Sequence, residues 1–99
     1  MPTFVMVTHI DNAAVSAPKD LEELEKAAMR QIELHCPEVN WRENLAVIGP
    51  YDYLDLFEAP DMVTAQKVAM IVRSFGHAHT EIWPATQWSE FKEEIRGLA

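Results

Sequence analysis

Two stretches of this chain repeat their apolar residues at intervals of three and four: Leu21, Leu24, Ala28, Ile32 and His35 within residues 18–35, then Met62, Ala65, Ala69 and Val72 within 61–75. That period gathers the apolar side chains into one stripe of an α-helix. Around the two helices lie four short runs rich in β-branched and aromatic residues, at 3–10, 41–49, 53–59 and 77–83. Turn-forming pairs separate them, with Asp11-Asn12 after the first and Gly49-Pro50-Tyr51-Asp52 between the middle two, so those middle two read as a hairpin. A last short helix carries Trp88, Phe91, Ile95 and Leu98 on one side.

Helix boundaries have their own signals. Ser16 is placed to cap the first helix, Pro18 fits its first turn, Asp20, Glu22 and Glu23 face its positive end, and Pro37 stops it. Asp61 caps the second helix, Gly76 suits the left-handed position that ends one, and Thr86 caps the third.

The order strand, helix, strand, strand, helix, strand is the split βαβ arrangement, an α+β ferredoxin-like fold. Right-handed crossovers place the first strand between the third and fourth, giving an antiparallel sheet of order 4-1-3-2 with both main helices on one face. The other face, left in water, would expose a large apolar patch. A second copy's sheet packed against it removes the problem, so a homodimer is expected.

At 99 residues the chain is expected to form a single domain, 1–99. Sixteen acidic against eight basic residues give a net charge of -8 with no basic cluster, which argues against nucleic-acid and anionic-membrane partners. Met1-Pro2-Thr3 lacks the basic and apolar regions of a signal peptide, so a cytoplasmic location is expected. The lone Cys36 has no internal disulfide partner and reads as a structural thiol. No phosphate-binding glycine loop, Cys-x-x-Cys, His-Glu-x-x-His or Gly-x-Ser-x-Gly occurs.

Gly49-Pro50-Tyr51-Asp52, followed by Glu58-Ala59-Pro60-Asp61, resembles the signature of the GYD-domain family, with Pro50 inserted in its Gly-Tyr-Asp. The opening Met1-Pro2-Thr3-Phe4, Gly76, Thr80 and Phe91 extend the resemblance over most of the chain. It implies a dimeric α/β barrel, a fold shared with small monooxygenases that use no metal or flavin, with stress-responsive proteins and with muconolactone-isomerase-like enzymes. It implies no established reaction.

Three functional readings follow. In the first, Tyr53, Asp55 and Phe57 of the third strand and His79, Glu81 and Trp83 of the fourth face the barrel interior, opposite Leu54, Leu56, Ala78, Thr80 and Ile82 under the helices. With Met6 they would line a pocket for a small organic ligand, aromatic walls anchored by Asp55, His79 and Glu81. A histidine beside a carboxylate there could serve as a general base, so enzyme status stays open. In the second, His9, His77, His79 and Asp52 meet at one end of the sheet and bind a divalent metal, His77 and His79 side by side on one strand. His9 alternates with Val5 and Val7, so its facing depends on the register. The third is a non-catalytic interaction or sensing module, with Glu22, Glu23, Glu25, Glu90, Glu93 and Glu94 as ordinary solvated helix residues.

Overall fold

Strand β1 (Thr3–Ile10) runs through the centre of the sheet, antiparallel to a neighbour on each side, and its alternation divides the protein into two faces. The computed structural model describes residues 1–11, 18–76 and 78–98. After β1 come α1 (Pro18–His35), β2 (Asn40–Ala46), β3 (Tyr53–Glu58), α2 (Met62–Gly76), β4 (Ala78–Ala85) and α3 (Trp88–Arg96). The four strands lie in the order β2-β3-β1-β4, all neighbours antiparallel, which is the ferredoxin-like order expected from the sequence.

Phe4 and Met6 point from β1 toward the helices and meet Ile32 and Cys36 from α1 and its end, Ala65, Val68 and Ala69 from α2, and Phe57 from β3. Phe57 is the centre of this core, fully buried between Phe4 at 5.9 Å and Trp41, which stacks on it at 5.1 Å. Cys36 is buried there as a free thiol, and its desolvation raises the thiol pKa, as befits a structural residue.

The faces of β3 are the reverse of the sequence expectation. Tyr53, Asp55 and Phe57 pair in register with Thr8, Met6 and Phe4 and lie under the helices, while Leu54 and Leu56 pair with Val7 and Val5 on the open face. Apolar character could not decide the matter, because both faces of this strand carry apolar residues. The choice is made by packing: the Phe57 ring fills the space between Phe4 and Trp41, and Asp55 is tolerated on the same side by a hydrogen bond from Asn44. On β4 the expected facing is observed, with Thr80 buried and Ile82 against the core, and His79, Glu81 and Trp83 on the open side.

Asp61 caps α2, accepting hydrogen bonds from the Thr64 amide (2.8 Å) and hydroxyl (2.7 Å), and these bonds hold its carboxyl below the usual range. At the other end Arg73 clamps α2 to β4, donating to the Thr80 hydroxyl at 2.7 Å and carbonyl at 2.6 Å. The helix includes Gly76 as its last residue instead of stopping before it. β4 is described from Ala78 and runs past its expected end at Trp83 through Pro84, which an edge strand accommodates because it needs no amide there. The third helix is preceded by Gln87 in the cap position, not Thr86, and Gln87 makes no side-chain cap bond. Ser16 and His77 fall outside the described residues.

Two apolar surfaces remain without cover. The open face presents Val5, Leu45, Leu54, Leu56 and Trp83, and α3 buries none of its residues, leaving Trp88, Phe91 and Ile95 exposed along one side. Among the described residues no helix is long and apolar enough to cross a membrane.

Candidate functional site

Between α1 and the sheet the core stops short of filling the available space. From Ile32 toward its N-terminal end α1 presents Ala28, Leu24 and Leu21, and these meet a stretch of sheet whose inward residues are Met6 and Thr8 of β1, Trp41 and Asn44 of β2, and Tyr53 and Asp55 of β3. Val72 and Phe75 of α2 close a side. The result is a cavity of about 150 Å3, mostly apolar in its wall, comparable to an internal cavity that holds one benzene ring.

The polar groups of this cavity come from adjacent strands. Asp55 is 4% exposed and accepts a hydrogen bond from Asn44 Nδ2 at 2.5 Å, the two residues being direct cross-strand partners in the β2–β3 hairpin. Burial pushes the Asp55 carboxyl up to about 7, against the pull of the Asn44 bond, with nearby Glu25 adding repulsion. The Trp41 indole N–H lies close enough to favour the ionised carboxylate, yet it falls short of a well-formed hydrogen bond and has no other partner. Thr8, 2% exposed, also has its hydroxyl without a partner. Two unpaired buried polar atoms in one apolar cavity are uncommon, since each costs roughly 1–3 kcal/mol unless something bonds to it. Tyr53 stands at the same wall, and its phenol pKa is raised by burial and by the neighbouring carboxylates Asp52, Glu25 and Asp55.

The ligand-binding set read from the sequence is thus divided. Tyr53 and Asp55, with Met6, line the cavity under the helices, and Phe57 is core beside it. His79, Glu81 and Trp83 lie across the sheet on the open face, where Glu81 accepts from the Tyr51 hydroxyl and from Trp83 Nε1 at 3.3 Å, bonds that lower its pKa. The reach from Tyr51 to Glu81 crosses β1, and Val7, the direct partner of Glu81 in the register, is only 3% exposed.

Of the residues read as metal ligands, His9, His79 and Asp52 lie at one end of the open face. His9 and His79 are cross-strand partners, His9 Nδ1 is 3.4 Å from Asp52 Oδ2, and His79 Nε2 is 3.8 Å from Glu81 Oε2. Asp52 is engaged further: its carboxylate accepts from the Ile10 amide at 2.7 Å and its amide donates to the Thr8 carbonyl at 2.7 Å, closing the hairpin turn onto β1. Among the described residues no three His, Cys, Asp or Glu side chains are disposed to hold a metal ion, and His77 lies outside them.

Thr8, Trp41 and Asn44 were not singled out by sequence reasoning. The signal for Asn44 was present in principle, because counting back from the turn pairs it with Asp55. Trp41 lies beyond a register shift between Trp41 and Glu43, and no such count reaches it.

Comparison with solved structures places the same fold elsewhere. The leucine response regulatory protein of Mycobacterium tuberculosis superposes with a TM-score of 0.56 at 13% identity, over 87% of this chain and 51% of that one. A feast or famine regulatory protein from M. tuberculosis, complexed with L-methionine, gives 0.59 at 9% identity, over 88% and 51%. A hypothetical protein from Pyrococcus horikoshii gives 0.54 at 22% identity, over 88% and 92%. The chain thus spans about half the length of the two regulatory proteins, and at these identities the likeness is one of fold. No match is found among the curated proteins. The sequence profile of the GYD domain, by contrast, matches residues 4–95, taking in every strand and nearly all of α3, and the chain belongs to the GYD-domain family.

Proposed function

We propose that this protein is a homodimeric GYD domain that binds a small organic molecule in the cavity between α1 and the sheet. The observation that carries the reading is an incomplete polar cluster in one apolar cavity with Asp55: Thr8 Oγ1 is buried without a partner among the described residues, and Trp41 Nε1 reaches toward the carboxylate without a well-formed hydrogen bond. A site left by imperfect packing would be apolar throughout, and a structural polar network would be complete. An incomplete one is what a ligand with one or two polar groups would finish.

That a regulatory protein of the same fold is complexed with L-methionine shows that the architecture can accompany small-molecule binding, without identifying this ligand. The homodimer is supported by the open face, where Val5, Leu45, Leu54, Leu56 and Trp83 form an apolar surface of the kind a partner covers. Binding needs no catalysis, and Asp55 offers a base only if a ligand presents it an acidic proton.

The test is a fragment screen of single-ring compounds read by the indole N–H resonances in a 1H–15N spectrum. Saturable movement of the Trp41 resonance, with Trp83 and Trp88 unmoved, is the expected result. Binding confined to Trp83 or Trp88 would move the site to the open face or α3 and overturn the reading.

A further inference from the structure

The polar half of the cavity has one sign. Among the described residues its ionisable groups are Asp55 on β3 and Glu22 and Glu25 on α1, together with the phenol of Tyr53, and none of the lining residues is a lysine, arginine or histidine. Asp55, at the inner end, has no ion-pair partner among the described residues, and one of its oxygens remains beyond the bond from Asn44. The cation closest along α2, Arg73, is committed to Thr80. Lys26, from the exposed side of α1, pairs with Glu22 at 3.4 Å, outside the buried part of the site.

We propose that the cavity is a site for a small amine, bound as its ammonium ion, with the nitrogen donating to the free oxygen of Asp55 and to Thr8 Oγ1 and the ring or chain lying along Met6, Leu24 and Ala28. The proposal rests on the reading of this cavity as a binding site and names the class of molecule it takes. Its physical basis is complementarity: an ammonium offers donors only, and the inner end of the cavity offers acceptors in Asp55 and Thr8. The Trp41 N–H, which an ammonium could not satisfy, is turned toward the carboxylate and favours its ionised form. An anion would meet Asp55 at the inner end and Glu25 and Glu22 toward the mouth, with the surface Lys26 compensating Glu22 alone, so a carboxylate ligand is disfavoured. The mouth is acidic as well, through Glu22 and Glu25, so that a cation is drawn in along the path it would take.

Binding is coupled to protonation. Asp55 is about half ionised near pH 7, and no titrating group faces it from β1, β2 or α2; Glu22 and Glu25 on α1 and Tyr53 beside it on β3 complete the set. An alkylammonium stays charged throughout this range. Affinity should therefore rise about tenfold from pH 6 to pH 8 as the carboxylate forms.

Three single-ring probes of similar size separate the possibilities: benzylamine, benzyl alcohol and sodium benzoate, each titrated into the full chain and followed by the Trp41 indole resonance at pH 6 and pH 8. Expected are saturable benzylamine binding that tightens with pH, weaker binding of the alcohol with no such dependence, and none of benzoate. Asp55→Asn should fold, keep the alcohol and lose the preference for the amine; the wild-type pH series carries the test independently of that variant. Benzyl alcohol binding as tightly as benzylamine at pH 8 would overturn the amine assignment and leave the cavity a binding site for neutral molecules. No response of Trp41 to any of the three overturns both.

Discussion

Asp55 stands at a point where stability and function pull apart. In the unfolded chain its carboxyl ionises near 3.8, and in the folded one near 7, so between those values the native state holds a proton that the unfolded state has released. Stability from this group is complete below pH 4, declines as pH rises toward 7 and is flat above it. Asparagine in its place keeps an acceptor for Asn44 and removes the titration. Asp55→Asn should therefore raise resistance to urea by about 2–4 kcal/mol at pH 8 and leave it nearly unchanged at pH 4, checked by equilibrium unfolding at the two pH values. Equal gains at both would mean that the burial of the carboxyl carries no such penalty. A residue retained at this cost, amid neighbours that could have been apolar, is what a binding site requires and a core does not. Which face it occupied was the part of the site that sequence could not deliver: Tyr53, Asp55 and Phe57 share a side by simple alternation, but the side is chosen by the Phe57 ring wedged between Phe4 and Trp41, a contact across three strands.

At the level of elements, the seven segments and their order were legible because each helix carries an apolar stripe of the right period and each turn has its own residue chemistry. What was not legible depends on neighbours. β4 continues through Pro84 because it is an edge, and Gln87 precedes α3 where Thr86 had seemed the better cap by residue type. The α2 cap was readable, since Asp61 three residues before Thr64 is a local pattern. Asp61→Ala should lower the midpoint of urea unfolding, and lower it less at a pH low enough to protonate the carboxyl, whose pKa is depressed by those same bonds. An unchanged midpoint would mean that water replaces the cap without loss. α3 belongs to a different category, because none of its residues is buried. Removing residues 86–99 should leave the sheet and the two larger helices folded, as judged by circular dichroism, while weakening self-association about tenfold or more, as judged by sedimentation equilibrium. A truncated chain that associates as before would show α3 to be a bystander.

For the molecule as a whole, the ferredoxin-like sheet has one face sealed by helices and one that is not. The sealed face is where the chain holds its imperfection, the cavity and its unpaired polar atoms, and the unsealed face is where it offers apolar surface outward. Separating the two roles allows a substitution in one to leave the other intact. Leu54→Glu, on the open side and paired with the exposed Leu45 and the buried Val7, should abolish the proposed dimer in sedimentation equilibrium, at some loss of stability where the carboxylate lies beside Val7. A dimer that survives it would relocate the interface away from the sheet.

Cys36 closes α1 onto the core with its sulfur shut away from solvent and its thiol held protonated by desolvation. A thiol so placed cannot react until the end of α1 lifts from the sheet, so its rate of alkylation measures how often that joint opens. The chain thus carries a built-in clock for breathing beside its own cavity, one atom per molecule, needing no added label. An occupant that braces α1 against β1 and β3 would slow the clock in proportion to its occupancy.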